Sequence, residues 1–222
     1  MLFHLAEPAA LLGILLALLI GIYAHDAAQV VAAKLFRDPR PLRSGRLTAS
    51  MKHRISPFSA VAMIIAGVGW TEPISMNDVW RKRRFHVAAA LLAGPVAYLL
   101  LTFGAVIGIS ARDSHTVYFS GARDFSMKLL LWLAITFASL FIVSLIPVPP
   151  ADGGRVLFGL GPQSPGWRRA DYQLRENNIG IAVLLALILL PKLFSGFPSV
   201  VDQLVPPLLS ALGSIINLEL RV

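Results

Sequence analysis

One short stretch carries the first candidate chemistry. In Ala24-His25-Asp26-Ala27-Ala28-Gln29 the His25 imidazole and the Gln29 amide stand four residues apart. A helix therefore presents both on one face, with Asp26 beside them. Two ligating side chains at this spacing, with an acid between them, are what a helix-borne zinc site uses. The pair holds the ion and the acid activates a water. The blander reading is a polar patch that joins helices through hydrogen bonds. A second stretch, Ser144-Leu145-Ile146-Pro147-Val148-Pro149-Pro150-Ala151-Asp152-Gly153-Gly154, presents Asp152 between a proline-stiffened segment and a Gly-Gly turn. It either delivers a carboxylate ligand or is a helix exit with an Asx-type turn.

The elements that must position these groups are membrane helices. Hydrophobic residues make up 56% of the 222, charged residues 14%, and mean hydropathy is +0.69. A soluble domain carries about 25% charge, so this chain lacks the polar surface to cover itself. Ala9 to about Tyr23 is apolar, runs into His25, Asp26 and Gln29, and continues to Phe36. Further spans are expected over Phe85–Ile109, Met127–Ile146 and Asn178–Phe194; a last apolar stretch, Val200–Leu218, broken by Pro206-Pro207, either lies in the interface or spans with a kink. A crossing needs roughly 20 apolar residues, so Pro57–Trp70, at about 14, reads as re-entrant. The expectation is an all-α polytopic protein of five to six transmembrane helices in a single domain over 1–222, with C-terminal helices over 178–218. Ionisable groups at membrane depth are costly, which makes each a functional candidate.

Charge orients these helices. Net charge is +8, but the basic residues cluster in loops: Arg37 to Arg54, Arg81 to Arg84, and Arg155 to Arg175. If Pro57–Trp70 re-enters, all three loops share one side, the cytoplasmic one, and the N-terminus lies outside. This accounts for the charge without nucleic acid as a partner. Met1 to Pro8 has no lysine or arginine, so no signal peptide is expected. With no cysteine, thiolate metal sites and disulfides are excluded.

Together the two stretches resemble the site-2 proteases, the intramembrane zinc metalloproteases. Gly45-Arg46-Leu47-Thr48, Ile55-Ser56-Pro57-Phe58, Gly69-Trp70-Thr71-Glu72-Pro73-Ile74 and Leu92-Ala93-Gly94-Pro95 resemble successive landmarks of the short bacterial members. The match covers about Gly21 to Leu157. The resemblance implies a compact helical core, a short β-hairpin or re-entrant region after the first helix, and a bacterial plasma-membrane location. It also implies a zinc site of two histidines and an aspartate, a glutamate general base and a substrate-positioning asparagine. By position His25 is the first ligand and Asp152 the carboxylate ligand.

The other positions depart from that pattern. Gln29 stands for the second histidine, Asp26 for the glutamate and Ser144 for the asparagine. Arg54 and Ser56 replace the His and Asp of a His-x-Asp-Pro pattern, Glu72 a lysine, and Tyr98 another asparagine. An amide oxygen is a far poorer zinc ligand than imidazole nitrogen. Asp26 falls about 1 Å short of the attacking water, a misplacement that can lower the rate about a hundredfold. His53 is the one candidate substitute ligand; His86 reads as interfacial, and His4 and His115 as solvated. The expectation is a pseudoprotease without zinc that binds or scaffolds the transmembrane helix of a partner within the bilayer, as a subunit of a larger complex. The alternative is an active protease, with zinc on His25, Asp152 and either Gln29 or His53, and Asp26 as base. A transporter or a haem bundle ligated by His25 and His86 is a third class, with nothing else in its favour.

Overall fold

The computed structural model describes residues 1, 5–38, 40–43, 47, 54–74, 84–112, 116–118, 124–162, 164–194 and 196–221. Three long helices form the core: α1 (Pro8–Leu35), α4 (Arg84–Ser110) and α5 (Phe125–Leu145). Each is long and apolar enough to cross a membrane. Pro8 starts α1, where its missing N–H has no intrahelical role, and Asp124 caps α5 by accepting from the Met127 N–H. A Cβ on Gly13 would lie 2.7 Å from Trp132 Cβ, and one on Gly21 3.1 Å from Leu140. Small residues thus let α1 and α5 pack backbone to backbone, running parallel. Tyr98 meets Gly21 and Gly94 meets His25, so α4 runs antiparallel to both.

Between α1 and α4 lie α2 (Arg40–Arg43) and α3 (Pro57–Ala66). Ser56 caps α3 through the Ser59 N–H, and Gly67 ends it at φ 79°, a left-handed turn open to glycine. At ten residues α3 is about 15 Å long, too short to cross. The chain then runs without helix from 68 to 74. The resemblance implies a β-hairpin or re-entrant region after the first helix; residues 44–46 and 48–53, His53 among them, lie outside the described residues. Beside them the Glu72 N–H donates to the Arg54 carbonyl at 2.6 Å.

After α5 come α6 (Asp152–Leu160), α7 (Pro165–Arg175), α8 (Ile179–Leu193) and α9 (Val200–Ile215). α7 buries no residue and meets α8 at 64°. Among the described residues three helices qualify as spans, or four if this bent pair is one, fewer than the expected five to six; α9 is too short to qualify. α9 continues through Pro206 and Pro207 rather than breaking there. Their missing N–H groups leave the carbonyls of Asp202 and Gln203 without a helical donor. α8 packs beside Val143 and α9 beside Leu131 and Phe137, so the two together follow the length of α5. A short parallel pairing of β1 (Thr116–Tyr118) with β2 (Glu219–Arg221) ties the α4–α5 loop to the C-terminal segment.

Candidate functional site

The site forms where α1, α4, α6 and the 67–74 segment converge. His25, Asp26 and Gln29 are 1%, 0% and 1% exposed, so they face protein and not lipid. Asp152, the first residue of α6, reaches them across the core: its Oδ2 shares a 2.7 Å hydrogen bond with His25 Nε2. That reach depends on α6 folding back against the end of α5. A Cβ on Gly153 would collide with the Leu145 carbonyl, and one on Gly154 with the Val148–Pro149 backbone. The Asp-Gly-Gly sequence therefore aims the carboxylate and does more than loosen a turn.

α4 contributes space and an acceptor. Gly94 lies directly under His25 and Gln29, where any side chain would collide with the imidazole. Pro95 has no N–H to donate to the carbonyl of Leu91, one turn earlier. The Gln29 amide supplies it, its Nε2 donating to Leu91 O at 2.9 Å and to Asp152 Oδ1 at 2.9 Å. Both partners are acceptors, which fixes the amide with nitrogen and not oxygen toward Asp152. Tyr98 stacks on the His25 ring at 4.9 Å.

The remaining side is closed by the extended segment. Ser59 on α3 holds it: its hydroxyl donates to the Trp70 carbonyl at 2.6 Å and accepts from the Trp70 N–H at 2.9 Å. Thr71 Oγ1 and Asp26 Oδ1 then both lie 3.4 Å from His25 Nδ1. The two imidazole nitrogens thus face different carboxylates, Nδ1 toward Asp26 and Nε2 toward Asp152. A guanidinium stands near each carboxylate. Arg54, 1% exposed, lies 4.0 Å from Asp26 Oδ2 and over the Tyr23 ring at 4.5 Å. Arg155 lies 3.9 Å from Asp152 Oδ1 and donates to the Ile74 carbonyl at 2.9 Å.

The cavity left at the centre measures about 10 Å³, lined by His25, Thr71, Tyr98, Ser144 and Asp152 among others. That is room for about one water. Ser144 lines it, but its hydroxyl donates back to the Phe141 carbonyl at 2.7 Å. His25, Asp26, Gln29, Asp152 and Ser144 are therefore brought together from sequence positions far apart. His86 is elsewhere, edge-on to Phe36 at 5.0 Å; His4 and His115 lie outside the described residues. Sequence reasoning missed Arg155 and Thr71 as neighbours of the site and quoted Gly94-Pro95 as a landmark of the resemblance. The available signal was Arg155, three residues after Asp152 and so on the same face of any helix starting there.

Comparison with known proteins adds one relationship. No family model matches the chain, and no solved structure matches it. Among curated proteins it is 28% identical over 181 residues to a Bacillus subtilis (strain 168) protein described as "Putative zinc metalloprotease YwhC". The alignment covers 80% of this chain and 80% of that protein. This similarity supports a metalloprotease-like relationship for a chain whose helices fit a membrane.

Proposed function

We propose that the chain is a site-2-protease-like integral membrane protein that holds the transmembrane helix of a partner without cleaving it. The observation that carries this reading is the Gln29 amide. Its two N–H bonds go to Asp152 and to the carbonyl that Pro95 leaves without a helical donor. A metal at the cavity would meet an N–H there and not a lone pair. His25 Nε2 is already bonded to Asp152 at 2.7 Å, and Asp26 approaches the opposite ring nitrogen. Asp26, on the Nδ1 side, is thus away from the Nε2 side where a base would meet a water. Arg54 and Arg155, each about 4 Å from a carboxylate, balance charge that a divalent ion would otherwise balance. Zinc in a three-ligand site does not fit this donor set.

The competing reading, an active zinc protease with a variant site, is favoured by the description of the Bacillus subtilis relative. It requires Gln29 to turn its oxygen inward, giving up both hydrogen bonds, or another ligand to enter. Zinc content of the detergent-purified chain separates the two. The native chain should match a His25→Ala control, and the Asp26→Glu, Gln29→His double variant should bind about one zinc. Near one zinc per native chain, lost in the control, would overturn the proposal. Cleavage of a single-pass substrate that Asp26→Ala abolishes would then mark Asp26 as the base.

A further inference from the structure

A second polar centre lies in the core region away from His25, where α8 ends and α9 begins. Lys192 Nζ donates to both carboxylate oxygens of Asp202, at 2.9 and 3.1 Å. The pair borders a cavity of about 310 Å³ enclosed by α1, α3, α5, α8 and α9. On α5 this cavity touches Trp132, Thr136 and Ser139. At 1.5 Å per residue, Thr136 is about 16 Å from the start of that span and about 14 Å from its end. The cavity therefore lies beside the middle of α5.

Prolines add to the polarity there. Pro191 has no N–H for the carbonyl of Leu187, nor do Pro206 and Pro207 for those of Asp202 and Gln203. Leu187, Asp202 and Pro206 all line the cavity, with the hydroxyl residues Thr136, Ser139 and Ser199. The Lys192 and Asp202 side chains are 33% and 58% exposed, and around them Leu193, Phe194, Phe197, Val200 and Leu204 are exposed apolar residues. An apolar face with a charged, acceptor-rich centre beside the middle of a span is poorly matched by lipid tails, which offer no hydrogen bond.

We propose that this face docks the partner's transmembrane helix, recognised by a mid-span side chain with N–H donors that enters the cavity beside Lys192 and Asp202. The proposal rests on the helix-holding reading above and names the chemistry of the helix held. The lining favours a donor: the Asp202 oxygens keep lone pairs beside their bonds from Lys192, and three hydroxyls and the proline-freed carbonyls of Leu187 and Asp202 add further acceptors. Apolar contacts from the surrounding face position the helix, and the donor sets its register along α5.

The test uses the full chain in lipid bilayers. The sequence has no cysteine, so Ser214→Cys, on the exposed end of α9, takes a single dye. The probes are dilute leucine–alanine host helices with Gln or the similarly sized Met at their centre, carrying an acceptor dye; host helices alone measure self-association. The Gln helix should associate with the chain about five- to thirtyfold more tightly than the Met helix. Lys192→Met with Asp202→Leu should erase that preference and leave Met-helix binding unchanged. The exchanged pair, Lys192→Asp with Asp202→Lys, should retain it, which separates recognition from misfolding.

Equal binding of the two helices, or a preference surviving in the Met–Leu variant, would overturn the proposal. So would self-association of the chain abolished by that variant, since the face would then belong to a second copy. Cleavage of either host helix would sink the helix-holding reading instead, and is scored separately on a gel.

Discussion

Pro95 and Gln29 form a donor–acceptor exchange across two helices. The proline withholds an N–H from Leu91, and the glutamine returns one from α1 while using its other on Asp152. Gln29→Leu leaves two buried acceptors short of a partner, one of them a carboxylate. Stability should fall by about 2–3 kcal/mol, measured by thermal unfolding in detergent. Adding Pro95→Ala gives Leu91 its helical donor back, so the double variant should recover about 1 kcal/mol relative to simple additivity. Strict additivity would mean that the Leu91 bond contributes nothing. The positions of this site were legible in the sequence because their types and spacing are local: His25 and Gln29 one turn apart, Asp152 before two glycines. The direction in which Gln29 presents its amide was not legible. It depends on a carbonyl 62 residues away in sequence, freed by a proline whose local signal reads only as a kink.

Among the elements, α6 shows how little the local pattern reveals about placement. Its nine residues include three glycines, poor helix formers, yet Gly153 and Gly159 have opposite roles. A Cβ on Gly153 would strike the Leu145 carbonyl, whereas nothing lies within 4 Å of one on Gly159. Gly159→Ala should therefore stabilise the chain by up to about 1 kcal/mol through helix propensity alone. Gly153→Ala should destabilise it by about 3 kcal/mol or more, since backbone must move, and draw Asp152 away from His25. Unfolding midpoints of the two single variants decide this, and similar shifts would mean that the fold-back is not tightly packed. The spans α1, α4 and α5 were readable from apolar length. The continuity of α9 through two prolines was not, because it depends on what the freed carbonyls meet.

At the scale of the whole molecule, the two ends of the core differ in charge. Near the start of α1 and α5, Glu7 pairs with Lys128 at 3.2 Å and Asp124 with Arg112 at 3.5 Å, so positive charge there is offset. Toward the other end lie Arg37, Arg40, Arg43 and Arg84, followed by Arg168, Arg169 and Arg175 on the exposed α7. Lysine and arginine near span ends are retained in the cytoplasm during insertion. The asymmetry therefore predicts that Glu7 lies outside, with His25, Asp152 and α7 toward the cytoplasmic half. Single cysteines test this without background, because the chain has none of its own. Leu5→Cys, at a 61% exposed position, should react with a membrane-impermeant maleimide in intact expressing cells. Gln173→Cys, on exposed α7, should react only after the membrane is opened. The reverse pattern would invert the topology and place the candidate site nearer the outer face. Labelling of both from outside would mean that α7 does not lie on the side that its arginines favour.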